Sequence, residues 1–199
     1  MHLNGCLLPT RGVIYIGDLP VTKKTTPTIR RTVGMVFQDS DDQLFMPTVF
    51  EDVAFGPMNL GVTGAELQTI VRHALQRVGT EHLQDRLPFK LSVGEKRRVA
   101  IATVLAMSPD ILVMDEPSSS LDPRARRELI ELLKTFKHTK IIATHDLDLA
   151  LELCPRTIIL GRGKVMADGP TKDIFTDDEL LTKSRLERPL SLQYYLSSE

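Results

Sequence analysis

Ile111-Leu-Val-Met-Asp-Glu-Pro-Ser-Ser-Ser-Leu-Asp122 decides how the rest of the chain reads. Ile111–Met114 is a short apolar run of the length of a buried strand. Asp115 and Glu116 follow at once. Pro117 has no N–H to donate and stops further pairing. Adjacent acids at the end of an apolar strand suit either of two roles. They hold Mg²⁺ beside a nucleoside triphosphate, or they are two solvated carboxylates in a strand-to-loop turn. The stretch alone leaves both open.

Outward from it, the chain alternates. Asp122-Pro123 reads as an N-cap and first helical residue of a helix to about Phe136. Lys140–Thr144 is the next strand. His145-Asp146 follows, then a helix to about Cys154. Arg156–Leu160 and Lys164–Ala167 form a hairpin around Gly161-Arg-Gly163. Short helices at 171–175 and about 177–185 lead to a loose tail. Upstream, Val33–Phe37 is a strand that ends at Gln38. Val13–Ile16 is a shorter one after a turn at Leu8–Gly12, itself preceded by the end of a helix. Residues 18–31 read as a polar loop with at most a short helix.

Strand–helix alternation after residue 110 predicts a parallel sheet with right-handed crossovers. Ligands in such sheets sit at the carboxyl ends of the strands. Gln38, Asp115, Glu116 and His145 each close a predicted strand at that edge. For Gln38 the plain alternative is a polar loop residue, and for His145 a capped loop histidine.

Between the strands lies a helical region. Phe50–Phe55 is a short helix that Gly56-Pro57 should end. Thr63 can cap a helix from Gly64 to Val78, whose Leu67, Ile70, Val71, Ala74, Leu75 and Val78 share one face. Gly79 is its stop, and a short helix follows near 80–85. Ser92-Val-Gly-Glu95 has the form of a capping box and opens a helix to about Met107. Residues of about 47–107 are thus expected as a helical subdomain inserted into a single α/β domain, 1–199, with a helical tail at about 170–199.

Composition limits the function. A formal net charge of -1 argues against a polyanion binder, so no nucleic acid is expected as partner. The two cysteines, Cys6 and Cys154, lie far apart and match no metal spacing, which fits a reducing compartment. No apolar run reaches the roughly 20 residues needed to span a bilayer, and no secretion leader is read at the start. A soluble, cytoplasmic protein is expected, with membrane association only through a partner.

Five stretches in order resemble the ATP-binding subunit of ABC transporters. Gln38 after Val33–Phe37 resembles the Q-loop, and Leu91-Ser-Val-Gly-Glu95 the signature motif. Ile111–Glu116 resembles Walker B with its catalytic glutamate. Ser118–Asp122 resembles the D-loop, and Ala143-Thr-His-Asp146 the switch-histidine loop. Val36–Gly61 is similar to the cobalt and energy-coupling-factor branch, whose members take up cobalt, nickel or vitamins.

The resemblance implies a P-loop NTPase core with a mostly parallel sheet, an inserted helical subdomain and a partial antiparallel β subdomain. It implies ATP and Mg²⁺ as cofactors. Asp115 would orient Mg²⁺ through water, Glu116 would be the general base, and Gln38 would contact the metal and the attacking water. His145 would bind the γ-phosphate. Ser92 and Gly94, in the motif completed by Glu95, would bind the γ-phosphate of ATP held by an opposite subunit. Val93 stands where the family commonly has glycine. Asp122 is a dimer contact or simply a helix cap.

The pattern G-x-x-x-x-G-K-[ST] is not found in the sequence. Gly12 and Gly17, and Gly56 and Gly61, have the glycine spacing, but Asp18-Leu19 and Val62-Thr63 follow. The resemblance is therefore to an ABC ATPase without its N-terminal strand and P-loop. The implied function is the ATP-hydrolysing subunit of an importer for cobalt, nickel or a vitamin. It would be a homo- or heterodimer on the inner face of the cell membrane. A transmembrane coupling subunit would touch it near Gln38 and the helical subdomain. The alternative is a non-catalytic subunit that lends its signature motif to a complete partner.

Overall fold

The computed structural model describes residues 1–193. Residues 194–199 of the expected tail lie outside them. Three parallel strands, β3 (Val33–Val36), β4 (Ile111–Asp115) and β5 (Thr139–Ala143), form a sheet in the order β3-β4-β5. β4 is central and covered on both faces. That is why its sequence is continuously apolar rather than alternating. Leu112 and Met114 are fully buried with Val36 on one face, against the helices. Val113 packs with Val21, Ile29 and Val33 on the other. Each such side chain contributes about 1.5–3 kcal/mol when buried.

The helical region consists of α2 (Val49–Asn59), α3 (Gly64–Arg77) and α4 (Val93–Leu105). They share one apolar core with the sheet and with α5 (Pro123–Lys134). α4 lies directly on β3. A Cβ on Gly34 would fall 2.3 Å from Val104 Cγ1 and 2.8 Å from Pro109 Cγ, so this approach requires glycine.

The helix expected to stop at Gly56-Pro57 runs on to Asn59, with Pro57 inside it and buried. Tertiary packing explains the correction. Met107 Sδ occupies the space where a Gly56 Cβ would sit, 2.6 Å from it. Burial of Pro57 and docking of Met107 outweigh the helical hydrogen bond that proline removes. Thr63 holds the N-cap position of α3, but its side chain makes no capping bond. Val78 closes that helix and Gly79, at φ 71°, turns the chain out of it.

The first 32 residues differ from expectation in detail. The helix end is a single 3₁₀ turn, His2–Asn4, closed by left-handed Gly5. Of Val13–Ile16 only β1 (Tyr15–Ile16) pairs, antiparallel to β2 (Leu19–Pro20) within the expected loop. Gly17 at φ 56° makes that tight return. The short helix is α1 (Thr26–Thr32).

After β5 come α6 (Leu147–Leu153) and the hairpin β6 (Arg156–Gly161) and β7 (Lys164–Pro170). Arg162 and Gly163 both have positive φ, as a two-residue primed turn demands. Helices α7 (Thr171–Thr176), α8 (Asp178–Lys183) and α9 (Leu190–Gln193) follow. Asp148 of α6 accepts the backbone N–H groups of Leu190 and Ser191, tying the tail back to the core. Among the described residues no helix is long and apolar enough to cross a membrane.

Candidate functional site

Because β3, β4 and β5 run parallel, Gln38, Asp115, Glu116 and His145 emerge at one edge of the sheet. Glu116 and His145 are the pair among them in direct contact. The Glu116 φ of 42° is left-handed, a conformation that costs a side-chain-bearing residue about 1–2 kcal/mol. The surroundings over-determine it. Glu116 N–H donates to the Ala143 carbonyl at 2.8 Å. Its Oε2 accepts from Thr144 Oγ1 at 3.0 Å, and its Oε1 from His145 N–H at 2.9 Å. The His145 ring Nδ1 lies 2.8 Å from the same Oε1.

The Glu116 side chain is 19% exposed and that of His145 81%. A buried-side carboxylate thus holds an imidazole at the solvent boundary. The hydrogen bond to Glu116, reinforced by its charge, raises the His145 pKa above its ordinary value. Asp115 sits at the last β4 rung, opposite Ala143, and is half-buried. Among the described residues no hydrogen bond or ion pair engages its carboxylate. One free, hard carboxylate next to an anchored one fits Mg²⁺. That ion takes one or two carboxylates and completes its shell with phosphate oxygens and water.

The other predicted residues form a second group. Ser92 Oγ accepts from Glu95 N–H at 3.3 Å, and Glu95 Oε2 accepts from Ser92 N–H at 2.7 Å. This closes the capping box at the start of α4. The Ser92 hydroxyl and N–H hold the Glu95 carboxyl below its ordinary pKa. Asp122 caps α5 by accepting from Arg124 and Ala125 N–H, both at 2.9 Å. A Cβ on Gly94 would lie 3.2 Å from Ala125 Cβ, so the two helix starts nearly touch. Between them is an open cleft of about 430 Å³, lined by Ser92, Val93, Gly94, Ser120, Asp122 and Arg124 among others. The start of α4 offers partial positive charge and backbone N–H groups beyond the Glu95 N–H that its cap takes, a setting for an anion, whereas Asp122 already accepts the N–H groups at the start of α5.

The structure therefore divides the predicted residues. Gln38, Asp115, Glu116 and His145 share the sheet edge, whereas Ser92, Gly94, Glu95 and Asp122 line the α4–α5 cleft.

Asp146 joins the elements and was not singled out from sequence. Its carboxylate accepts from Arg126 Nε and Nη2, both at 2.7 Å, and from Ser118 Oγ at 3.0 Å. It also caps α6 through Leu149 N–H at 2.9 Å. Burial pushes its pKa up, but Arg126, the Leu149 N–H and Ser118 outweigh burial and hold it below the ordinary value. One side chain thus links the loop after Glu116, helix α5 and the loop of His145. The available signal was an Asp just before a helix. Thr144, which anchors Glu116, stands within the Ala143-Thr-His-Asp146 stretch without a role read from sequence.

Known proteins bear on this arrangement. Residues 1–119 match the family model described as ABC transporter. An ABC transporter ATP-binding protein of Geobacter sulfurreducens is 66% identical over 97% of this chain and 78% of its own length. The energy-coupling factor transporter ATP-binding protein EcfA of Methanoculleus marisnigri is 43% identical over 94% of this chain and 69% of its own. The solved structure of cbiO1 from Clostridium perfringens, part of the ABC transporter complex cbiONQ, superimposes with a TM-score of 0.81 at 38% identity. It covers all of this chain and is itself covered to 80%. With residues 1–119 matched and a relative 66% identical over nearly the whole chain, the chain belongs to the family of ABC transporter ATP-binding proteins, the ATPases that drive transport.

Proposed function

We propose that this chain is the ATP-hydrolysing subunit of an energy-coupling-factor type importer. One observation carries the proposal. Glu116 is held in a strained backbone with its carboxylate fixed by Thr144 and His145. A fixed carboxylate at a sheet edge is what positioning an attacking water requires. Likeness to EcfA and to cbiO1 supports the energy-coupling-factor type; cobalt, nickel or a vitamin is the cargo class that the resemblance of Val36–Gly61 implies.

Each residue then has a role. Glu116 polarises the water as general base. Asp115 and the Gln38 amide would hold Mg²⁺, which would supply charge neutralisation on the phosphates. His145 hands a ring N–H to the γ-phosphate while Glu116 keeps its orientation. Ser92 and Gly94 serve the ATP of an opposing subunit, and Asp122 shapes the cleft between them. The unit is a homo- or heterodimer on the inner face of the cell membrane.

A transmembrane coupling subunit docks beside the Gln38 loop and the helical subdomain. There Phe45 and Phe55 stack edge-on at 5.0 Å and remain exposed, next to exposed Met58. Such a patch suits a protein contact.

A second reading has its own support. The α4–α5 cleft is fully formed within this chain, so the chain could lend it to a partner's ATP without hydrolysing any itself. Measuring MgATP turnover of the assembled transporter separates the two. Under the first reading, Glu116→Gln in this chain lowers turnover at least about 100-fold, within the range general-base removal causes. Turnover that survives Glu116→Gln yet collapses in Gly94→Val would replace the first reading by the second.

A further inference from the structure

Arg97 is a buried cation, and among the described residues no carboxylate is bonded to it. It lies in α4 with 3% of its surface exposed. Its Nη1 donates to the Phe37 carbonyl at 2.7 Å and its Nη2 to the Gln38 carbonyl at 2.5 Å. Among the described residues its Nε has no hydrogen-bond partner. Burying a charge costs several kcal/mol, and what offsets it here is the loop that leaves β3, through the two carbonyls and the charge of Asp39.

The same stripe of α4 grips that loop further on. Lys96 Nζ meets Asp41 Oδ1 at 2.6 Å. Gln43 Nε2 donates to the Ala100 carbonyl and to Thr103 Oγ1, both at 2.8 Å. Residues 96/97, 100 and 103 recur at the spacing of one helix face. Meanwhile the loop has left the sheet. The last β3–β4 rung is Val36 opposite Met114, and Phe37 N–H turns inward to Gln43 Oε1 at 3.0 Å. Residues 37–43 are thus bonded to α4 rather than to β4.

We infer that Arg97 is a positioning residue: it clamps the Gln38 loop to α4, so that Gln38 moves with the helix whose N-terminus presents Ser92 and Gly94. The inference deepens the proposed function and rests on it for one point only, that Gln38 and Ser92 face nucleotide. Given that, the two nucleotide-facing elements of one subunit form a single mechanical piece. A phosphate sensed at one is felt at the other. Arginine is needed because its fork reaches two successive carbonyls at once, which an ammonium does not.

Amide hydrogen exchange on the whole chain tests the clamp without nucleotide. Wild type is compared with Arg97→Met, which keeps the bulk, and Arg97→Lys, which keeps the charge. Amides of residues 38–44 are expected to exchange roughly tenfold faster in Arg97→Met and less so in Arg97→Lys, while β4 amides stay within about twofold. An unchanged loop in Arg97→Met overturns the inference. So does a rise in loop and β4 amides together, which marks general support of the fold. In the assembled transporter, kcat for ATP should fall about tenfold in Arg97→Met at unchanged KM and recover partly in Arg97→Lys. A released loop with wild-type kcat overturns the inference. A wild-type transporter that does not turn over ATP sinks the proposed function but leaves the exchange result standing.

Discussion

Replacing Asp146 by alanine should be among the most damaging single changes near the site. The substitution removes two Arg126 bonds of 2.7 Å, the Ser118 hydroxyl bond and the α6 cap. Arg126 and Asp146 side chains are 26% and 19% exposed, so the pair is partly screened. A fully buried pair broken on one side costs about 3–5 kcal/mol, and a lost cap about 1 kcal/mol. Discounting the pair for its exposure leaves a loss of about 3 kcal/mol. For a chain of this size that is a fall in Tm of about 6–12 °C.

Circular dichroism melts and urea titrations at pH 7 measure it. Asp146→Asn, which keeps an acceptor for the cap, should lose about half as much. Adding Arg126→Ala to Asp146→Ala should cost far less than the sum of the single losses, since both remove one interaction. The sign with pH follows from the lowered folded pKa. The pair's stabilisation is present above about pH 3.9 and is lost as pH falls through the depressed native value. A fall in Tm under 2 °C or strictly additive losses would refute the reasoning.

Four further outcomes can be checked together. Gly34→Ala should destabilise by about 1–3 kcal/mol in urea unfolding, because Val104 and Pro109 are stiff neighbours. Gly56→Ala should stay within about 1 kcal/mol of wild type, because flexible Met107 can withdraw and alanine favours the helix; equal losses at the two glycines would contradict this. Ser92→Ala should cost about 1 kcal/mol through the capping box alone, and an unchanged urea midpoint would contradict the observed cap. In thiol titration of the native chain, exposed Cys6 should react quickly and Cys154 slowly, since burial raises the Cys154 pKa. Equal rates would count against the packing around Cys154.

What the sequence disclosed depends on how local each signal is. The Ser92–Glu95 box and the Asp122-Pro123 start are readable because cap and partner lie within a few residues. β4 is readable because burial on both faces leaves Ile111–Met114 uniformly apolar. The common edge of Gln38, Glu116 and His145 follows from parallel strands alone. Features that failed are set by distant residues. Gly56-Pro57 continues a helix only because Met107 arrives from α4's far end. Asp146 matters because Arg126 and Ser118, 20 and 28 positions away, converge on it. Arg97 stands between Lys96 and Arg98 with no local sign of burial, yet it reaches the Phe37 and Gln38 carbonyls 60 and 59 positions back and is buried. Left-handed Glu116 gives no sign at all in a one-dimensional pattern, since its strain is imposed by Ala143 and Thr144 across the sheet.

The most direct measurement is the pKa of His145 by NMR titration of its imidazole, in wild type and in Glu116→Gln. Everything assigned to the site depends on Glu116 holding this ring. In wild type the pKa should lie above about 6.5, the ordinary histidine value, because the Glu116 carboxylate bonds the ring and favours its charge. The stabilisation from the pair is then present below about pH 6.5 and fades as pH rises through the raised value. Glu116→Gln should lower the pKa, because the bond to the carboxylate and its charge are both lost. The same pKa in both proteins would mean that the ring is not held by Glu116, and the site would lose its centre.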